Sequence, residues 1–205
     1  MNMDQAILQA FPLVATSTSG EAPPATQDGM RYVVGKAGIW REITLPWVRA
    51  RHQVAQSMID LPYGETADMI EFRCGPVPRD AIRQFAEEAR EAAPTEIAAA
   101  FLWNEETGQW RYARREAISS SADHIEYREV TVLEAEHLVV DVHSHGHTRA
   151  FFSHEDNRDD RGTMRVSLVL GDLDREVPSS AMRLCLAGLM LPAAMGADGS
   201  LEVSP

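Results

Sequence analysis

Apolar positions in this chain recur at two periods, and the switch between them divides it into elements. Between Pro78 and Pro94, the residues Ile82, Phe85, Ala86, Ala89 and Ala93 return at helical spacing. Glu87, Glu88, Arg90 and Glu91 occupy the remaining surface, so the spacing predicts an amphipathic helix that Pro94 ends. Most of the rest alternates, or runs apolar over five to eight residues, as strands do. Leu138 to Val142 reads as a buried strand that continues into His143 and His145. Met164 to Leu170 and Met182 to Ala187 read as two more, separated by a polar turn over 171–180. Glu96 to Trp103 reads as a buried strand, although its alanines leave helix as a competitor. The turn 104–108 then sends Gln109 to Tyr112 back as a hairpin partner, and the pattern from His124 to Leu133 predicts a further strand.

The first third of the chain looks different. A short helix is predicted over Met1 to Phe11, followed by a loop over 15–29 rich in Ser, Thr, Gly and Pro. A hairpin follows, in which the strand beginning at Met30 turns through Gly35-Lys36-Ala37-Gly38 into Ile39 to Ile43. The pattern from Trp47 to Met58 is ambiguous, and Met69 to Cys74 suits one more strand. Two parts result: an N-terminal β-rich appendage over 1–75 and a domain over 76–205. The latter mixes helices with mostly consecutive strands, so its expected class is α/β (α+β), a mixed sheet flanked by helices.

Composition bounds the partners. The 205 residues carry a net charge of −12. Such a surface repels phosphate backbones and anionic lipid, so neither nucleic acid nor membrane is expected as a direct partner. The exception left open is a local basic patch, from Arg79, Arg83 and Arg90 or from Arg111, Arg114 and Arg115. Two cysteines, Cys74 and Cys185, offer no disulfide framework. The start of the chain has no basic segment leading into a long apolar run, and a cytoplasmic protein is expected.

The chemistry concentrates between His143 and Asp156, where the pattern is H-x-H-x7-S-x-x-D. On a strand, His143 and His145 project from one face, and a short loop returns Asp156 as a third donor. Two imidazoles, a carboxylate and one open position suit a catalytic zinc. The plainer reading is of separate histidines beside a turn, with Ser153 capping a helix that runs on to Arg161. Spacing alone leaves both open, and they are compatible, since a capped helix fixes the direction of Asp156.

The segment resembles the signature of JAMM (MPN+/JAB) metalloproteases, an upstream glutamate followed by H-x-H-x7-S-x-x-D. More narrowly, His143-Ser144-His145-Gly146, Ala150 to Ser153, Asp159 to Gly162, Gly171 to Asp174 and Arg183 to Leu186 resemble the PRTRC system protein A family. That is a prokaryotic, often plasmid-associated JAB branch, and the likeness covers about residues 78–195. It implies a JAB/MPN-like mixed sheet flanked by helices. It also implies His143, His145 and Asp156 as Zn2+ ligands, Ser153 as a hydrogen-bond partner of the developing oxyanion or the metal-bound water, and Glu96 as general base. Glu96 stands in Pro94-Thr95-Glu96, after the helix and before the first core strand. Spacing could not have chosen it, because Glu105, Glu106, Glu116, Glu126 and Glu129 also lie upstream of the histidines. The sequence departs from many relatives in carrying Ala98-Ala99 after the glutamate and Gly146 where proline often follows the second histidine. The glycine is expected to loosen the loop. His147, His154 and Glu155 lie near enough to be considered, and are expected at the surface or behind the ligands.

The expected activity is that of a zinc-dependent peptidase or isopeptidase acting on the C-terminal tail of a ubiquitin-like protein or its conjugates. An E1/ThiF-like protein of the same system is the other implied partner. The alternative from a different class is a metal-stabilised binding module without turnover. The full set of Glu96, His143, His145, Ser153 and Asp156 argues for the enzyme, because a scaffold would not need the base.

Overall fold

The computed structural model describes residues 2–20, 22–120 and 125–203. They form two compact units, residues 1–73 and 74–205. The first has six basic and eight acidic residues, the second thirteen and twenty-three, so the negative charge belongs mainly to the second.

In the first unit, α1 (Met3–Ala10) opens with a capping box between Asn2 and Gln5. A five-stranded sheet follows, in order β1 (Leu13–Ala15), β2 (Gly29–Gly35), β3 (Gly38–Leu45), β4 (Val48–Gln56), β5 (Met69–Phe72). β1 runs parallel to β2 and the other pairs are antiparallel. The hairpin expected at Gly35 to Gly38 is there, and the ambiguous stretch after Trp47 is strand β4. Glu42 is fully buried and its carboxylate accepts from Arg31 at 2.7 Å and Arg49 at 3.2 Å. That pairing is what a buried charge requires.

The second unit is built on a seven-stranded mixed sheet. Its strands are β6 (Ala98–Asn104), β7 (Trp110–Arg114), β10 (Glu136–Ser144), β11 (Met164–Gly171), β12 (Ser179–Leu186), β13 (Leu189–Met195) and β14 (Leu201–Val203). The spatial order is β14-β13-β12-β11-β10-β6-β7, with β10 and β11 parallel and every other pair antiparallel. The α+β class and the mixed sheet expected from the sequence both hold. Residues 96–103 resolve in favour of strand, because every side chain from Ala98 to Trp103 is buried between sheet neighbours.

Helix α2 (Arg79–Ala92) covers one face. Its Phe85 and Ala89 are buried, and Ile82 and Ala86 share a groove with Leu168, Leu170 and Met182 of β11 and β12. Glu88 anchors the outer side of the helix, accepting from Tyr112 at 2.8 Å and from Arg114 at 2.6 Å. The opposite face is polar. Register places Asp141, Ser167 and Arg183 side by side across β10, β11 and β12, with His143 and Arg165 on the same side two residues away. A short helix, α3 (His154–Asp159), is continued by a single turn over Asp160–Gly162.

One expectation fails in detail. The strand predicted over 124–133 is only β9 (Ile125–Tyr127), which pairs with β8 (Ala117–Ser120) in a small separate sheet. His124 lies outside the described residues, and 128–133 form no strand. Apolar residues do alternate there, but Val132 and Leu133 are exposed, so nothing stabilises an extended partner. Several arginines of the basic patches left open above are paired with carboxylates. Arg83 pairs with Asp80, Arg111 with Glu136, Arg114 with Glu88, and Arg115 with Asp141 and Glu129.

Phe85 is the largest side chain that α2 buries. Phe85→Ala is expected to lower the unfolding free energy of the 74–205 unit by about 3–5 kcal/mol. Urea denaturation checks this, and a loss below about 1 kcal/mol would mean the helix is not the cover of that face.

Candidate metal centre

Strand β10 delivers the histidines. It is hydrogen-bonded on both edges, to β6 and to β11, and it alternates Val140 and Val142 to one face with Asp141 and His143 to the other. Its end is fixed by a reciprocal pair: the Ser144 amide donates to the Ile97 carbonyl, and the Ile97 amide donates to Ser144 Oγ at 3.0 Å. That pair carries the residue before Ile97 to the histidines. Glu96 is 5 % exposed, and its Oε1 is 4.0 Å from His145 Nε2.

The loop after His145 is held by backbone bonds. His145 N–H donates to the Leu170 carbonyl, and Leu173 N–H donates to the Gly146 carbonyl. Gly146 has φ of +53°, and a Cβ there would sit 2.7 Å from the Pro94 carbonyl oxygen. The glycine expected to loosen the loop does the reverse. It allows the loop to close onto the segment just before Glu96, which a side chain would prevent.

Asp156 arrives on α3. Ser153 is the N-cap: its Oγ accepts from the Asp156 amide at 3.1 Å, and its own amide donates to Asp156 Oδ2 at 2.7 Å. This capping box uses one carboxylate oxygen and leaves the other free. The free oxygen, Oδ1, is 3.4 Å from His143 Nε2. His143 Nε2 and His145 Nε2 are 3.1 Å apart.

His143, His145 and Asp156 therefore form a cluster able to hold a metal ion, with donor atoms all within 4.8 Å of one another. The geometry fits a small tetrahedral ion: bonds of about 2.0–2.1 Å to such an ion separate adjacent corners by about 3.3–3.4 Å. The protonation state fits as well. Burial pushes His143 below its ordinary value, against the opposing pull of Asp156, Asp141 and Asp160. Burial and the neighbouring His143 push His145 down to about 4. Neutral imidazoles are the form that binds metal. His147, His154 and Glu155 are exposed and stand outside the cluster.

The cluster opens into a cleft of about 830 Å³ that Glu96, Ser153 and Phe151 also line. Phe151 meets the His145 ring edge-on at 4.7 Å between centroids. The other charged lining is acidic, from Glu126, Glu129, Glu155 and Asp159. Arg165, the one basic side chain among the described lining residues besides the histidines, is engaged by Asp141 and Asp160.

Comparison with known families places the cluster inside a JAB-type domain. Residues 78–185, just over half of the chain, match the family described as prokaryotic homologs of the JAB domain, and the chain belongs to that family. Residues 1–73 match a domain of unknown function, DUF2016. Among solved structures, the solution structure of protein DSY2949 from Desulfitobacterium hafniense is similar, with a TM-score of 0.41 and 15% identity. That match covers 62% of this chain and 86% of the other, and is too weak to inform on chemistry. No curated protein matches the chain.

Two features of the site were not read from the sequence: the polar network behind the histidines, and Phe151 against His145. The network's partners are scattered over strands β9 to β12, the turn after α3 and Arg115, so no local spacing signals it.

The lowered histidines make a signed prediction. The unfolded chain takes up protons near the ordinary histidine value of 6.5 while folded His145 resists until about 4. Metal-free protein should therefore lose stability as the pH falls from about 6.5 to 4. Thermal melts across that range check it, and His145→Gln should flatten the slope.

Proposed function

We propose that the protein is a zinc-dependent peptidase or isopeptidase. The observation that carries this reading is the position of Glu96. It comes from 47 residues upstream of His143, on a different element, yet its buried carboxylate lies beside the histidine cluster and lines the same cleft as Ser153. A site that only held a metal for structural reasons would have no use for a buried carboxylate beside the histidines.

Zn2+ held by His143, His145 and Asp156 would supply Lewis-acid polarisation of the scissile carbonyl and lower the pKa of water. The chain's residues do the rest. Glu96 accepts a proton from the attacking water, whose oxygen bonds to the carbonyl carbon. The C–N bond then breaks, and Glu96 passes that proton to the amine nitrogen. Ser153 Oγ already accepts from the Asp156 amide, so its own proton is directed elsewhere, and it donates to the oxyanion. The cap thus doubles as a transition-state donor.

The substrate proposed is the C-terminal tail of a ubiquitin-like protein, as precursor or conjugate. That choice, the PRTRC system protein A branch and the E1/ThiF-like partner all rest on the sequence resemblance. The acidic cleft is compatible with a basic tail.

Glu96→Gln should retain about one zinc per chain and lose about 10²–10⁴-fold in the rate of cleaving the ubiquitin-like protein of its own system. Metal analysis and a gel assay read both. Equal inertness of wild type and variant, with zinc bound, would favour the binding module instead.

A further inference from the structure

Asp156 rides on a helix of six residues, too short to hold its own direction. What seats it is a side chain from another part of the chain. Arg183, on the polar face of β12, is nearly buried, with 8 % of its side chain exposed. Its Nε and Nη2 donate to Asp160 Oδ2 at 2.9 and 2.6 Å, and its Nη1 donates to Asn157 Oδ1 at 2.5 Å. The same guanidinium lies 3.7 Å over the Phe152 ring. Phe152 immediately precedes Ser153, and Asn157 immediately follows Asp156. One planar group therefore brackets the Ser153 to Asp156 box from both sides and fixes the helix end through Asp160.

The other oxygen of Asp160 extends the linkage. Asp160 Oδ1 accepts from Arg165 at 2.8 Å, and Arg165 also pairs with Asp141 at 2.5 Å. Asp141 is two residues before His143 on β10. The helix bearing Asp156 and the strand bearing His143 are thus joined through Arg183, Asp160, Arg165 and Asp141. Stability alone explains this poorly. Desolvating several charges is costly, and apolar residues of similar volume often hold a fold as well or better. What a guanidinium fork adds is direction, since its donors lie in one rigid plane.

We infer that Arg183 is a positioning residue for the metal centre: it sets the pose of Asp156 and Ser153 relative to His143 and His145. This rests on the reading of those residues as a metal site.

The test uses the full chain and measures three quantities: zinc affinity by competition with a chromophoric chelator, the visible spectrum of the cobalt(II)-loaded protein, and the melting temperature. Arg183→Met, where it folds, should bind zinc about 10–100-fold more weakly and shift the cobalt spectrum. Arg183→Lys keeps the charge without the fork, and should recover the melting temperature better than the affinity. Folded Arg183→Met that binds zinc within about two-fold of wild type, with an unchanged cobalt spectrum, overturns the inference. If Arg183→Met does not fold, Asn157→Ala decides. Asn157 is exposed, so its removal cuts one arm of the bracket without opening the core. It should weaken zinc by about ten-fold, the lower end of such effects, and unchanged affinity overturns the inference. Wild type that takes up no zinc fails earlier, at the reading of the site itself, and takes the inference with it.

Discussion

The alternation of strand β10 is the constraint on which the second unit depends. Bonded on both edges, it cannot slip by one residue without exchanging its two faces. Val140 and Val142 go to the side covered by α2, and Asp141 and His143 go to the other. The apolar core and the metal-competent cluster are therefore two consequences of one register. The Ser144–Ile97 pair extends that register to Glu96, which explains how a residue so distant in sequence reaches the histidines.

Around this strand, the polar face keeps its charges satisfied. Asp141 is 6 % exposed and is held by Arg115, Arg165 and Tyr127. Asp160 is 3 % exposed and divides its oxygens between Arg165 and Arg183. No position of that network can be replaced singly without leaving a desolvated charge, so the site stands on a rigid base. Above it, the capping box makes a second economical division. One oxygen of Asp156 closes the helix end and the other is left facing the histidines.

Much of this was legible in the sequence, for reasons that can be named. Helix α2 has a full apolar stripe, and the strands through His143, Val166 and Leu184 are apolar enough to read by eye. The motif from His143 to Asp156 carried the cluster, because its donors are local. Glu96 was reachable only through family resemblance, since other glutamates, Glu105 and Glu126 among them, also lie upstream. Strands β13 and β14 gave no usable signal: β13 contains Pro192 and is only half-buried, and β14 has three residues. The residues 128–133 misled because an alternating pattern is not a strand until something pairs with it. Gly146 was misjudged because its role depends on the Pro94 carbonyl, a contact no local pattern shows.

The account turns on Asp156 being a ligand through one oxygen while its other oxygen caps α3. Zinc K-edge X-ray absorption on the loaded wild type and on Asp156→Ala measures this directly. The account predicts two imidazole nitrogens and one carboxylate oxygen on zinc in the wild type, with the carboxylate oxygen lost in the variant. A wild-type zinc bound by the imidazoles without a carboxylate, or a spectrum unchanged by the substitution, would contradict it.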